Sequence, residues 1–314
     1  MLQNLKVQKT LLWAVKILVF VFVLYFLVQQ LYKIKLNDFS SLALERPLYL
    51  VFVIFLLPIN WFLEFLKWTF TVKKISSKYS FRLILNSMLA GIATGIVTPN
   101  RIGNFIGRML HFKGKTKGQV IIGTLYNNLA QFLASILYGL IGIYFFSKYF
   151  LEGGYSIEAI GIALTFILLA LFLYVAYPYL KISKLPKMKR YLNSLLLFQR
   201  VAKKIMFPIL FLSLLRYLVF VLQFILILIA FGATYTHDLI FGIFAMYFIT
   251  TLTPNLIMGK LVIRESVALF VLSYFVENPA IIILSSLLLW VINLGIPSLI
   301  GVYFLFTNKR NKNA

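Results

Sequence analysis

Thr98-Pro99-Asn100-Arg101-Ile102-Gly103 decides how the chain is read, because it sets a polar, helix-interrupting signal where the surrounding apolar segments imply bilayer depth. It recurs as Thr253-Pro254-Asn255-Leu256-Ile257-Met258-Gly259, with one residue inserted. In each copy an arginine stands five residues after the glycine: Arg108 after Gly103 and Arg264 after Gly259. The chain therefore reads as duplicated, with a break in each half.

Composition sets the class. With 61% hydrophobic and 12% charged residues, and with apolar runs of about 20 residues, this is a membrane chain rather than a soluble one. Lipid forces backbone groups to pair within each segment, so the fold class is an all-α polytopic membrane protein. An outer-membrane barrel would show short alternating segments, and these runs are continuous. The net charge of +23 belongs in basic rims facing anionic headgroups; anionic membrane lipids are the expected partners, and nucleic acid is not. The absence of cysteine excludes disulfides, thiolate metal sites and a cysteine nucleophile. Lys6 and Lys9 precede an apolar stretch from 11 to 31 that is too long for a signal-peptide core and reads as a retained first helix.

Six full spans are expected near residues 11–31, 48–70, 120–146, 157–180, 206–231 and 279–306. Two pairs of shorter segments, 83–97 with 99–112 and 238–252 with 254–276, contain the Thr-Pro-Asn turns. Cytoplasmic loops are enriched in Lys and Arg. Lys181, Lys184, Lys187, Lys189, Arg190, Arg200, Lys203 and Lys204 share one loop without an acid. That loop, the cluster Lys73, Lys74, Lys78, Arg82, the cluster Lys113, Lys115, Lys117 and the tail Lys309, Arg310, Lys312 all fall inside if each pair is a re-entrant hairpin. A full crossing by 83–97 would invert everything after it, and at 1.5 Å per residue that segment is only about 22 Å long against a ~30 Å core. The expected architecture is thus six spans plus two hairpins, 83–112 and 238–276, arranged as an inverted repeat of residues 1–150 and 151–314. Both termini are expected on the cytoplasmic side of the plasma (inner) membrane. Leu140-Ile141-Gly142-Ile143-Tyr144-Phe145 is echoed by Leu299-Ile300-Gly301-Val302-Tyr303-Phe304, and such repeats are the architecture of alternating-access transporters.

Thr can cap a helix N-terminus, and Pro suits the first helical position. Thr98, Pro99, Asn100 and Gly103, with Thr253, Pro254, Asn255 and Gly259, are therefore read as starts of half-helices whose positive ends could hold an anion; a kink repaired by neighbouring helices is the plainer alternative. Arg101, Arg108, Lys260 and Arg264 follow the turns, and charge at membrane depth marks a functional candidate; Arg108 and Lys260 could instead snorkel to an interface. Arg216 lies on one helix face with Gln223; paired with Glu265 it would be structural, unpaired it would be a headgroup ligand. Arg264 precedes Glu265 directly. Asn60, Glu64 and Lys67 form a polar stripe, read either as a local Glu64–Lys67 pair or as pathway lining. Asn127, Asn128, Gln131, Ser135 and Tyr138 serve either helix-to-helix hydrogen bonding or a hydrophilic groove.

Enzyme chemistry has little to draw on. The eight acids, Asp38, Glu45, Glu64, Glu152, Glu158, Asp238, Glu265 and Glu277, form no Asp-x-Asp pair, and His111 and His237 have no His-Glu-x-x-His spacing. Gly154-Tyr155-Ser156 lacks the rest of a nucleophile elbow. No catalytic residue, metal or cofactor is expected.

Thr98-Pro99-Asn100-Arg101-Ile102-Gly103-Asn104-Phe105-Ile106-Gly107-Arg108 and Val262-Ile263-Arg264-Glu265-Ser266-Val267-Ala268 resemble the transmembrane-domain family of lysylphosphatidylglycerol synthetase/flippase proteins. The resemblance covers nearly the whole chain. It implies movement between leaflets of an anionic or aminoacylated phospholipid, or of an isoprenoid-phosphate lipid, by alternating access. Family members often carry an acid where Asn104 stands, so coupling to an ion through this position is in question. Only a short basic tail follows Phe306; lipid aminoacylation is expected of a separate lipid-modifying enzyme. Two other readings stay open: a membrane glycosyltransferase or its accessory subunit in a polyprenyl-linked sugar pathway, and a non-transporting scaffold.

Overall fold

The computed structural model describes residues 42–76, 79–96, 98, 101–114, 116–149, 157–176, 179, 189–253 and 259–310. The expected span at 11–31 and the residues Pro99, Asn100, Pro254 and Asn255 lie outside them. Every regular element among the described residues is a helix: α1 Pro47–Ile75, α2 Phe81–Ile96, α3 Gly103–Met109, α4 Thr116–Phe146, α5 Ile157–Ala176, α6 Lys189–Ala230, α7 His237–Leu252, α8 Gly259–Leu272, α9 Pro279–Trp290 and α10 Ile296–Arg310. Among the described residues four stretches are long and apolar enough to cross a membrane: Pro47–Ile75, Thr116–Tyr149, Ala202–Ala230 and Pro279–Tyr303. Phe81–Ile96 and His237–Leu252 are shorter apolar helices, as the two-limb reading of the breaks requires.

Local chemistry sets several ends. Pro47 opens α1 and Pro279 opens α9, each at a position whose N–H needs no helical partner. Thr236 caps α7 by accepting from the Leu239 N–H, and Asn278 caps α9 by accepting from the Ala280 N–H. Between α9 and α10 the helix widens into a π-turn over Val291–Gly295. Its cause stands two residues on: Pro297 has no N–H to give the Asn293 carbonyl one turn back, so the regular ladder fails there. The basic segment 181–204, expected to be a loop, is helical from Lys189 onward as the first turns of α6, and α3 starts at Gly103, not at Pro99.

Packing joins elements far apart in sequence. α1 runs along α6; α4 lies against α7, and the α9–α10 segment against α2. Two long helical segments thus each meet a short apolar helix that precedes a Thr-Pro-Asn turn. Gly142 and Gly301 make both crossings possible. A Cβ on Gly142 would lie 2.4 Å from Phe244 Cβ and 2.5 Å from Ala245 N, and one on Gly301 would lie 2.2 Å from the Leu89 carbonyl oxygen. Phe244 stands 155 residues after Leu89, the offset that separates Thr253 from Thr98. The apolar echo around the two glycines therefore has a steric reason: both are points where a helix approaches a hairpin backbone too closely for a side chain.

The apolar interior forms two clusters, and the changeover between them falls at the same place on three helices. α1 passes from Val53 in one cluster to Trp68 and Val72 in the other, α4 from Leu133 to Ala134, and α6 from Ile209 to Tyr217. Glu64, Gln131 and Arg216 sit at or next to these changeovers. Arg216 is the middle residue of Ala202–Ala230, and Asn60, Glu64, Gln131 and Asn293 lie within three residues of the middle of their spans. A polar layer therefore crosses the bundle at half its depth.

Candidate functional site

The first break folds as a tight hairpin. Thr94 Oγ1 donates to the carbonyls of Ala90 (2.8 Å) and Gly103 (2.6 Å), and the Gly103 N–H donates to Thr98 Oγ1 at 2.7 Å. Thr98 Oγ1 itself donates to the Thr94 carbonyl. Thr98 thus occupies the first N–H of α3, a helix of seven residues, and works as a turn-holder rather than as the opening of a free dipole end. Limb-to-limb contact depends on glycine: a Cβ on Gly103 would lie 2.0 Å from the Thr94 carbonyl oxygen and one on Gly107 2.3 Å from that of Ala90. Gly91 and Gly95 on α2 face Asn104 and Arg108 on α3, so both limbs carry a Gly-x-x-x-Gly spacing. At the tip Arg101 has φ 57°, a left-handed conformation that a bulky residue adopts only under constraint. The bond from its N–H to the Thr98 carbonyl, 3.2 Å, supplies part of that constraint.

This hairpin carries two arginines to the mid-depth layer, where one carboxylate collects cations from three elements. Glu64 Oε1 accepts from Arg108 Nη2 at 2.7 Å; Glu64 Oε2 lies 3.1 Å from Arg216 Nη1 and 3.5 Å from Lys67 Nζ. Arg108, expected either to bind a ligand or to snorkel, is 1% exposed, so it does not reach an interface. Its guanidinium lies 4.3 Å over the Trp68 ring, whose Nε1 donates to Ser87 Oγ at 2.8 Å. Arg216 pairs with neither Glu265 nor nothing: besides Glu64 it donates from Nε to Asn60 Oδ1 at 2.8 Å. Gln131 Oε1 accepts from Lys67 Nζ at 3.2 Å. Behind this group Asn60, Gln223 and Asn293 form a buried amide triad: Asn60 Nδ2 donates to Asn293 Oδ1 at 2.6 Å, and Asn293 Nδ2 to Gln223 Oε1 at 3.0 Å. The π-turn is what brings Asn293 into the triad.

The cavity these residues enclose is about 60 Å³ and is lined by Trp61, Glu64, Lys67, Met88, Ile92, Arg101, Asn104, Arg108, Asn128, Gln131, Arg216, Asn293 and Leu294. Its charged lining is four cations and one carboxylate. Arg108 Nε and Nη1, Trp61 Nε1 and Asn104 Oδ1 are buried without a hydrogen-bond partner, and the Arg101 side chain makes no ion pair among the described residues. Buried polar groups left unpaired are costly, and these belong to residues that line the cavity.

Of the residues singled out from sequence, Glu64, Arg101, Arg108, Gln131 and Arg216 therefore share one wall, with Asn60 and Gln223 bonded to it. Asn127 serves helix packing instead, donating to Thr71 Oγ1 at 2.7 Å and to the Gly123 carbonyl. The second break is placed elsewhere. Thr253 closes α7, with its N–H bonded to the Ile249 carbonyl and its hydroxyl to that of Thr250; Gly259 opens α8. Arg264 pairs with Glu265, whose Oε1 also accepts from Ser286 Oγ at 3.1 Å. None of these lines the cavity. The Lys260 side chain lies outside the described residues. Trp61, Trp68 and Asn293 were not read from the sequence as site residues; an asparagine four residues before a proline inside an apolar span was the signal for the last.

No curated protein matches the chain significantly. The family model described as lysylphosphatidylglycerol synthase TM region matches residues 13–301, nearly the whole length, and the chain belongs to that family.

Proposed function

We propose that the protein moves a phosphate-bearing lipid between leaflets by alternating access, with the cavity around Arg101, Arg108 and Arg216 as the headgroup site. The observation that carries this is an excess of cations, Lys67, Arg101, Arg108 and Arg216 against Glu64 alone, around one cavity at half the depth of an apolar bundle. Such charge is expensive in a membrane interior and persists where it binds or conducts something. Family membership supports a lipid-related role. The matching contacts of α4 with α7 and of the α9–α10 segment with α2 support an inverted repeat of 1–150 and 151–314 with six spans, and the cavity is walled from both: α1 to α4 on one side, Arg216 and Asn293 on the other. At about 60 Å³ the cavity has room for roughly four to six waters at ~10–15 Å³ each. A lipid headgroup gains full access when one half tilts against the other. Thr98 and Gly103 hold the first hairpin together, Thr253 and Gly259 bound the second break, Arg264 pairs with Glu265 beside it, and the termini face the cytoplasm of the inner membrane.

The test is reconstitution of the full chain in phosphatidylcholine vesicles holding a fluorescently labelled phosphatidic acid, with an impermeant quencher outside. Protein should raise the quenchable fraction from the outer leaflet towards the whole, and Arg216→Gln should slow it. No movement of labelled phosphatidic acid, phosphatidylglycerol or isoprenoid phosphate would overturn the reading.

A further inference from the structure

We infer that the cavity selects a headgroup ending in a terminal phosphate, a phosphomonoester or pyrophosphate with at least two negative charges, over a phosphodiester or an aminoacylated headgroup. This rests on the headgroup site proposed above and narrows it through charge. Arg101, Arg108 and Arg216 remain cationic at any physiological pH, and against Glu64 they leave +2; Lys67, when protonated, makes it +3. Among the described residues no further acid lines the cavity. The elements that wall the cavity, Pro47–Ile75, Phe81–Ile96, Gly103–Met109, Thr116–Phe146, Lys189–Ala230 and Pro279–Arg310, contain one acidic residue among them, Glu64.

Both oxygens of Glu64 are already engaged, Oε1 by Arg108 and Oε2 by Arg216 and Lys67. The ammonium group of an aminoacylated lipid would therefore meet three or four cations and no open carboxylate. A phosphodiester brings one negative charge and leaves the cavity positive. A terminal phosphate brings about two and exposes three oxygens to a lining drawn from separate elements: Trp61 on α1, Arg101 at the hairpin tip, Arg108 on α3 and Arg216 on α6. The aminoacylated substrate implied by the family resemblance thus does not suit this chain's charge pattern.

Binding to the purified full chain in detergent distinguishes these classes by calorimetric titration. The probes are dioctanoyl phosphatidic acid, farnesyl pyrophosphate, dioctanoyl phosphatidylglycerol, dioctanoyl lysylphosphatidylglycerol and inorganic pyrophosphate. At about pH 7.5 the first two should bind roughly tenfold or more tighter than the phosphatidylglycerols. Lowering the pH to about 5.5, below the second phosphate pKa of about 6, should shrink the advantage of phosphatidic acid over phosphatidylglycerol. Arg101→Gln should cut that ratio several-fold and Arg101→Lys should keep most of it; Arg101 makes no ion pair among the described residues, and an unchanged unfolding midpoint checks that the fold is kept. Phosphatidylglycerol or its lysyl ester matching phosphatidic acid at the higher pH would overturn the inference and leave lipid transport standing. If none of the four lipids binds, both fall. Inorganic pyrophosphate equalling farnesyl pyrophosphate would keep the terminal-phosphate preference and remove lipid as its bearer.

Discussion

Replacing Glu64 by glutamine tests whether a single carboxylate holds the polar layer together. Glu64 is 8% exposed and has cationic nitrogens at 2.7, 3.1 and 3.5 Å. At an effective dielectric of about 20, each such pair attracts by ~5–6 kcal/mol. Desolvation of the partners and repulsion among the three cations cancel most of that sum, and breaking a buried pair by removing one partner costs ~3–5 kcal/mol. At ~2–4 °C per kcal/mol this is a fall in the unfolding midpoint of roughly 6–20 °C. Tryptophan fluorescence in a fixed detergent reads it, since Trp61 and Trp68 border the layer. The loss should be partly reversed by Lys67→Met in the same chain, because the double variant removes one of the cations left facing each other; coupling of ~0.5–3 kcal/mol is the expected size. Phosphatidic acid should also stabilise Glu64→Gln more than the parent, its charge standing in for the missing carboxylate. A variant as stable as the parent, or one that Lys67→Met weakens further, would show that the three cations do not depend on Glu64.

Gly142→Ala and Gly301→Ala should each lower stability by ~1–3 kcal/mol through forced separation of packed helices, whereas Gly161→Ala, with open space around its Cα, should leave the midpoint unchanged; equal effects at all three would remove the close-approach account. Trp68→Phe keeps a ring under Arg108 but frees Ser87 Oγ from its bond, and should cost ~1 kcal/mol, against ~2 kcal/mol or more for Trp68→Leu, which also loses the cation–π contact; identical losses would count against that contact. Single cysteines in this cysteine-free chain test topology: Lys113→Cys and Arg190→Cys should be shielded from an impermeant label applied outside cells, and Glu277→Cys should react. Labelling at position 113 from outside would sink the re-entrant reading of the first hairpin.

The two kinds of information divide along physical lines. Whatever depends on local composition or on chain direction was open to the sequence alone: apolar runs of bilayer length, helices forced by lipid, the interruption at each Thr-Pro-Asn, and family membership through Thr98–Arg108 and Val262–Ala268. The hairpin limbs emerged within a few residues of their expected bounds because proline and glycine act on their own backbone. Partner choice did not emerge, because it is set by which helix lies alongside. Arg108 offered binding and snorkelling equally in the sequence; α3, folded back against α2, buries it and aims it at Glu64, 44 positions earlier. Arg216 could have met Glu265; the packing of α1 along α6 gave it Glu64 and Asn60 instead. Asn293 reaches the layer only through a π-turn whose cause, Pro297, is local but whose consequence is a contact 233 residues away. A charge written in the sequence says that something must neutralise it; only the arrangement of helices says that Glu64 is shared three ways and that the cations left over face a cavity.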